Sequence, residues 1–216
     1  MNEQDIVSFL QSNPDFFAQN PDLLAQINVP HNLGGQAISL TERQVATLRD
    51  KLNQVQSKLA ELVGFGEEND NISAKVHRLT LSLLIAESFE SVSHSVYSHL
   101  TEDFAVPHVQ LRIWNSILKR PLPEFIEVSE EVRFAAADMQ RPACGPAVPG
   151  EILLWFGEPG DYLKSWALIP LRRDAQVFGM LALGSEDPQR FFPEMGTLYV
   201  ERIGDMVSAA VRRYIG

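Results

Sequence analysis

Apolar residues recur along the chain in different periods, and each period predicts a different element. Residues 166–171 and 177–183 are two nearly unbroken apolar runs of strand length, separated by the polar turn Arg172-Arg173-Asp174-Ala175. Two such runs joined by about four residues predict a hairpin. Neither run alternates cleanly with polar residues, so both faces of the hairpin are expected to be covered. Gly179, inside the second run, predicts a bulge or the close approach of another backbone. The stretch 184–188 breaks the strand, and a closing helix is expected over 194–214, with Leu198, Ile203, Met206, Val207, Ala210 and Val211 on one face.

A narrower period lies upstream. Ile38, Val45, Leu48, Leu52, Val55, Leu59 and Leu62 follow a 3-4 spacing, with Thr41 in the one polar slot and Arg43, Arg49, Asp50, Lys51, Lys58 and Glu61 outside it. A stripe two positions in seven wide is narrower than a globular core asks for and suits a parallel coiled-coil homodimer over 36–68. Ser39 and Glu42 have the spacing of a capping box that opens this helix, after a linker at 29–35 whose paired glycines allow a change of direction. At 64–71 the stripe stops. Gly64 and Gly66 each weaken a helix by about 1 kcal/mol, so a break or flexible joint that could act as a hinge is expected there, with a loop or an exposed helical segment as the alternative.

Before the linker, residues 1–35 form a small helical segment. Asn13-Pro14-Asp15-Phe16-Phe17 and Asn20-Pro21-Asp22-Leu23-Leu24 repeat one signal: Asn as N-cap, Pro at the first helical position, and an acid at the positive helix end. The apolar pairs either face a core or make a small docking surface of Phe16, Phe17, Leu23 and Leu24. After the joint, a third segment over 69–216 begins with a helix from Ile72 through Val76, Leu79, Leu83, Ala86 and Phe89, then a shorter helix over 92–103. A strand follows over 106–114, with Val109, Leu111 and Ile113 on one face and Gln110, Arg112 and Trp114 on the other. The proline-punctuated stretch 115–150 is irregular, with a short helix over 130–139. Another strand is expected over 152–156. Mostly short connections favour an antiparallel sheet covered by helices, an α+β fold.

Two segments, ALIPL at 167–171 and FGMLALGSEDPQRFFPEMGTLYVERIGDMV at 178–207, resemble the second half of a GAF domain. The opening, FLQSNPDFFAQNPDLLAQINVPHNLGGQAISLTERQVATLRDKL at 9–52, together with RPACG at 141–145, resembles the bacterial family known as domain of unknown function 484, over nearly the whole chain. The resemblance implies a GAF-like antiparallel sheet flanked by helices and carries almost no mechanism with it.

Charge and chemistry narrow the function classes. The formal charge of the 216 residues is -10, which opposes binding to nucleic acid or an anionic membrane. Cys144 is the one cysteine, so no intramolecular disulfide forms and a reducing compartment is the simpler reading. The first residues lack a basic region and a long apolar run, no apolar run approaches the ~18 residues of a membrane span, and a cytoplasmic protein is expected. His94 and His99 stand five apart, roughly 140° around a helix axis, and no H-E-x-x-H, G-x-S-x-G, Walker A or G-x-G-x-x-G pattern occurs. Neither a metal site nor an enzyme is expected. An adjacent Arg could lower the pKa of Cys144, but the GAF-like methionine sulfoxide reductases use several cysteines, and packing is the simpler role.

A ligand pocket remains. GAF domains hold small molecules between the sheet and the irregular excursion. By position the lining would draw on Arg112, Trp114, Phe134, Arg141, Cys144, Trp155 and Trp166, an arginine among aromatics that suits an anionic or planar ligand. The same residues could equally be core. The expected function is a homodimeric, GAF-like sensory or ligand-binding module without catalysis. It pairs through Val45, Leu48, Leu52, Val55, Leu59 and Leu62, and it signals through a partner protein because no output segment follows Gly216. The alternative is a scaffold or adaptor with no ligand. Ligand, cofactor and partner identities are left open by the sequence.

Overall fold

The computed structural model describes residues 2–26, 28–30, 37–114, 116 and 121–215, and side chains outside 24–42. The chain divides into two compact units, Met1–Glu67 and Glu68–Gly216.

In the first unit, α1 (Glu3–Ser12) opens on a capping box: the Asn2 side chain accepts from Gln4 N–H, and Asp5 accepts from Asn2 N–H. Two short helices follow, α2 (Phe16–Gln19) and α3 (Pro21–Gln26). Pro21 does occupy the first position of its helix, but the asparagines act differently from expectation. Asn13 and Asn20 donate their side-chain N–H groups back to Phe9 O and Phe16 O, at 2.9 and 2.8 Å. They close the preceding turn, and Asp15, not Asn13, precedes α2 without a side-chain cap bond. A carbonyl left over at a helix end attracts the amide as readily as a free N–H ahead of it. Strands β1 (Asn28–Pro30) and β2 (Ala37–Ser39) pair antiparallel, Val29 opposite Ile38. Ile38 therefore belongs to a strand, and the seam starts at Val45. The capping box expected of Ser39 and Glu42 falls on side chains outside those described.

Helix α4 runs unbroken over Leu40–Ile85, through the glycines where a joint was expected. The magnitudes explain this. Two glycines cost about 2 kcal/mol against alanine, whereas restarting a helix costs a nucleation factor on the order of 10⁻³, about 4 kcal/mol. Past the glycines, Tyr199 OH donates to Asn69 O and contacts Ser73 Oγ, holding this part of α4 against the closing helix.

The second unit is built on a four-stranded antiparallel sheet in the order β3-β6-β5-β4. The hairpin of β5 (Ser165–Arg173) and β6 (Gln176–Ser185) lies at its centre, buried on both faces as the unbroken apolar runs require. Its turn is tighter than expected, two residues with Asp174 in the left-handed region. Leu171 pairs with Gly179 and Arg172 with Val177, so Phe178 is an extra residue, a bulge beside the glycine. A Cβ on Gly179 would stand 2.6 Å from Arg112 O. Strand β3 (His108–Ile113) pairs with β6, and β4 (Ala143–Gly145), which the sequence reading missed, pairs with β5.

One face of the sheet packs Leu111, Ala167, Ile169, Leu171, Leu181 and Leu183 against α4, α5 (Phe89–Ser98) and α8 (Leu198–Ile215). Phe89 starts α5, with Ser88 as its N-cap, and does not continue α4. The helix expected over 92–103 is this α5 followed by a π-turn, His99–Asp103. The other face packs Trp166, Leu168, Met180 and Ala182 under α6 (Glu130–Asp138) and α7 (Gly150–Trp155). Helix α7 replaces the strand expected over 152–156. Ile152 and Phe156 are buried four residues apart while Leu154 is exposed, a helical period that a short apolar run conceals in sequence. Among the described residues no helix is long and apolar enough to cross a membrane.

Asp103 ties the π-turn to α4. Arg78 donates to its carboxylate at 2.7 Å and His99 Nδ1 lies at 2.6 Å, and these bonds, Arg78 first, hold its pKa down to about 2. A carboxyl depressed in the folded state stabilises above its ordinary value of 3.8 and loses that contribution as the pH falls toward 2. Replacing Asp103 by Asn is therefore expected to flatten the loss of stability between pH 5 and pH 2.5 in denaturant titrations. The glycines give a second expectation. Gly64→Ala and Gly66→Ala, which meet no atom within 4 Å, should together stabilise the helix by up to about 2 kcal/mol in urea unfolding followed by circular dichroism. Gly179→Ala should destabilise by about 1–3 kcal/mol through overpacking.

Candidate functional site

Strand β3 is an edge strand, and its outer edge would present unpaired backbone groups. Side chains close it. The Tyr97 hydroxyl on α5 faces the Leu111 backbone and the Glu124 carboxylate. Arg112 donates from its guanidinium to Leu111 O at 2.9 Å and to Gln110 Oε1 at 3.2 Å. Glu124 arrives on a single 3₁₀ turn, Pro123–Phe125, that lies along β3. Arg112 and Glu124 are both buried.

The electrostatics follow from that burial. Desolvation lowers the pKa of Arg112, opposed by Tyr97 and Glu124. Burial, then the negative Glu124, pushes the Tyr97 hydroxyl up to about 12. On its other side the Arg112 guanidinium lies 5.2 Å from the Trp155 ring centre, a stacking distance at which ring and cation attract.

Of the seven residues expected to line a pocket, the structure brings four to one face of the sheet. Trp114 and Trp166 are buried in the apolar cluster under α6 and α7, Trp155 packs on that cluster, and Arg112 stacks on Trp155. Two of them bond within the protein: Arg112 donates to Leu111 O, and Trp114 Nε1 donates to Val177 O at 3.1 Å. Phe156 meets Trp166 edge-on at 5.1 Å. The other three lie elsewhere. Phe134 is 73% exposed. Cys144 packs against the opposite core, and burial raises its thiol pKa, the reverse of what activation by a neighbouring arginine would do. Arg141 is exposed and lines a notch with Arg172, Glu201 and Asp205.

Tyr97, Gln110 and Glu124 were not singled out from sequence. Gln110 sits two residues from Arg112 on the strand, a spacing that does place it on the same face. Tyr97 and Glu124 reach the strand only through the fold. On α4, the six residues from Val45 to Leu62 of the seam are between 41% and 65% exposed.

An arginine held this way stabilises the fold. Arg112→Met strips the donor from Leu111 O and leaves Glu124 buried, and it is expected to cost about 1–3 kcal/mol in unfolding free energy. Combined with Glu124→Gln, the loss should be smaller than the sum of the single losses. Purely additive losses would show that the two groups do not interact.

The model for the family described as "Protein of unknown function, DUF484" matches residues 1–216. The uncharacterized protein YigA of Salmonella typhimurium is 21% identical over 222 residues, spanning 100% of this chain and 93% of that protein. YigA of Escherichia coli K12 is 23% identical over the same shares. Among solved structures, the chain is similar to the GAF domain of the potassium sensor histidine kinase KdpD from Escherichia coli, with TM-score 0.43, 12% identity and coverage of 65% of this chain and 93% of that one. It is also similar to the A. aeolicus nlh2 GAF domain in an inactive state, with TM-score 0.47, 13% identity and coverage of 67% and 98%. With the family model matching from the first residue to the last, the chain belongs to the DUF484 family.

Proposed function

We propose that this protein is a homodimeric, non-enzymatic, GAF-like sensory module of the cytoplasm, which binds a small ligand and passes its state to a partner protein. The observation that carries the reading is the seam on α4. Val45, Leu52 and Leu59 fall at one heptad position and Leu48, Val55 and Leu62 at the other, all exposed along one helix. Fully burying a Val or Leu side chain is worth about 1.5–3 kcal/mol. Six per copy give on the order of 10 kcal/mol, enough to meet an association cost of about 4–15 kcal/mol when two copies contribute. The seam ends where its next positions fall on Gly66 and Asn69. Farther on, Val76 and Leu83 hold the same heptad position as Leu62 but pack in the core of their own unit. One continuous helix thus carries both the pairing surface and part of the sensory core.

A second reading, a scaffold without a ligand, draws on a different observation. Ile6, Val7, Phe9 and Leu23 are exposed in an N-terminal unit whose first helix carries acids and no base in its terminal turns. On the tryptophan-lined face the expected site residues Trp114 and Trp166 are buried in an apolar cluster, which also favours it. Titrating the protein against a metabolite library by thermal shift separates the two: a ligand that raises the midpoint supports the sensor, and no response from any member supports the scaffold.

The pairing itself is tested by sedimentation equilibrium. The wild type is expected at twice the 24.2 kDa chain mass. Leu52→Glu combined with Leu59→Glu should sediment as a monomer with its second unit still folded. A monomeric wild type would refute the homodimer.

A further inference from the structure

The face of the sheet opposite the tryptophans holds a groove of about 610 Å³ that none of the expected site residues touch. It is bounded by α4, by the exit of the π-turn, and by the loop leading into α8. Its volume falls within the ~300–1,000 Å³ of small-ligand sites. The floor is apolar and belongs to the core: Leu100, Val106, Leu183 and Phe191 are each no more than 5% exposed.

Two cations stand on its walls, and both converge on Phe104. Lys75 Nζ lies 6.0 Å from the Phe104 ring centre. Arg190 donates to the Phe104 carbonyl and lies 6.0 Å from the Phe191 ring centre. Neither forms an ion pair among the described residues, although acids outnumber bases in this chain. The one acid on the lining, Asp187, accepts from Gln189 N–H in its own loop. Ala105, between Phe104 and Val106, holds a left-handed φ of 52°. Val106 N–H there bonds to Leu100 O at 2.9 Å, closing the turn as a helix C-cap does. A glycine would meet that backbone at lower cost, and the methyl that replaces it lies on the groove wall.

We propose that this groove binds a free amphipathic carboxylate of medium chain length. Its alkyl body would lie along the half-buried Ile72, Phe104, Met195 and Tyr199 above that floor, and its carboxylate would pair with Lys75 and Arg190. A charged head beside two cations gains charge-assisted bonds, and a slender chain along the half-buried walls removes apolar surface from water. A bilayer fits less well, because the apolar surface is recessed and a flat membrane cannot reach it. The inference is independent of the homodimer, since the groove lies within a single chain.

The probe is decanoate below its micellar concentration, followed by isothermal titration calorimetry on the full-length protein. One saturable site per chain is expected. Butyrate, which keeps the charge, and decanol, which keeps the chain, should each bind at least tenfold more weakly. Lys75→Gln, at a side chain that forms no ion pair among the described residues, should weaken decanoate binding at least fivefold without moving the thermal midpoint of the unliganded protein. Gly196→Phe adds a side chain on the lining where a Cβ meets no atom within 4 Å, and it should block binding. Absence of saturable decanoate binding would overturn the proposal. So would binding that both variants leave unchanged, or binding to phosphatidylglycerol vesicles without binding to monomeric decanoate.

Discussion

Apolar surface has to be covered, and that constraint acts first on the centre of the sheet. The β5–β6 hairpin is apolar on both faces, so it can exist only between two layers. Helices α4, α5 and α8 supply one layer and α6 and α7 the other. The bulge at Phe178 and the missing side chain at Gly179 let β3 lie against the hairpin. The turn of Pro123–Phe125, with Tyr97 and Arg112, closes the edge that remains. On the first part of α4 the seam residues remain between 41% and 65% exposed. The natural cover for a narrow, regular stripe is the same stripe on another copy.

The two faces of the sheet have diverged. Under α6 and α7, Arg112 and the Trp114 indole donate to backbone carbonyls, and the tryptophans pack in an apolar cluster. Under α4 and α8 the core rises to an open groove with two cations beside it. An arginine among aromatics was the more obvious binding signal in sequence, yet it is the arginine whose bonds are already made. Buried charge with partners reads as architecture, while cations that form no ion pair among the described residues, at an apolar recess, read as recognition.

Much of the fold was legible because it rests on local period. The hairpin, its covered faces, the special position of Gly179, the closing helix and the α+β class all follow from the spacing of apolar residues and from turn chemistry. What was not legible depends on competition between alternatives of similar energy. The glycines of α4 looked like a joint because their local cost is visible, whereas the larger cost of restarting a helix belongs to the whole element. Residues 152–156 are too few to separate the period of a strand from that of a helix. The three residues of β4 carry no pattern at all; β5 makes them a strand by pairing with them. The candidate site was half legible. Alternation on β3 put Arg112 and Trp114 on one face, but membership of Tyr97, Glu124, Lys75 and Arg190 in any site is set by tertiary contacts that join distant parts of the chain.

The claim that bears the most weight is that two copies cover each other along α4, parallel and in register. Site-directed cross-linking in a Cys144→Ser background tests it most directly. In-register pairing predicts that Leu52→Cys oxidises to a covalent dimer in good yield, while Lys51→Cys, one position off the seam, does not. Equal yields from the two, or no covalent dimer from either, would contradict the account.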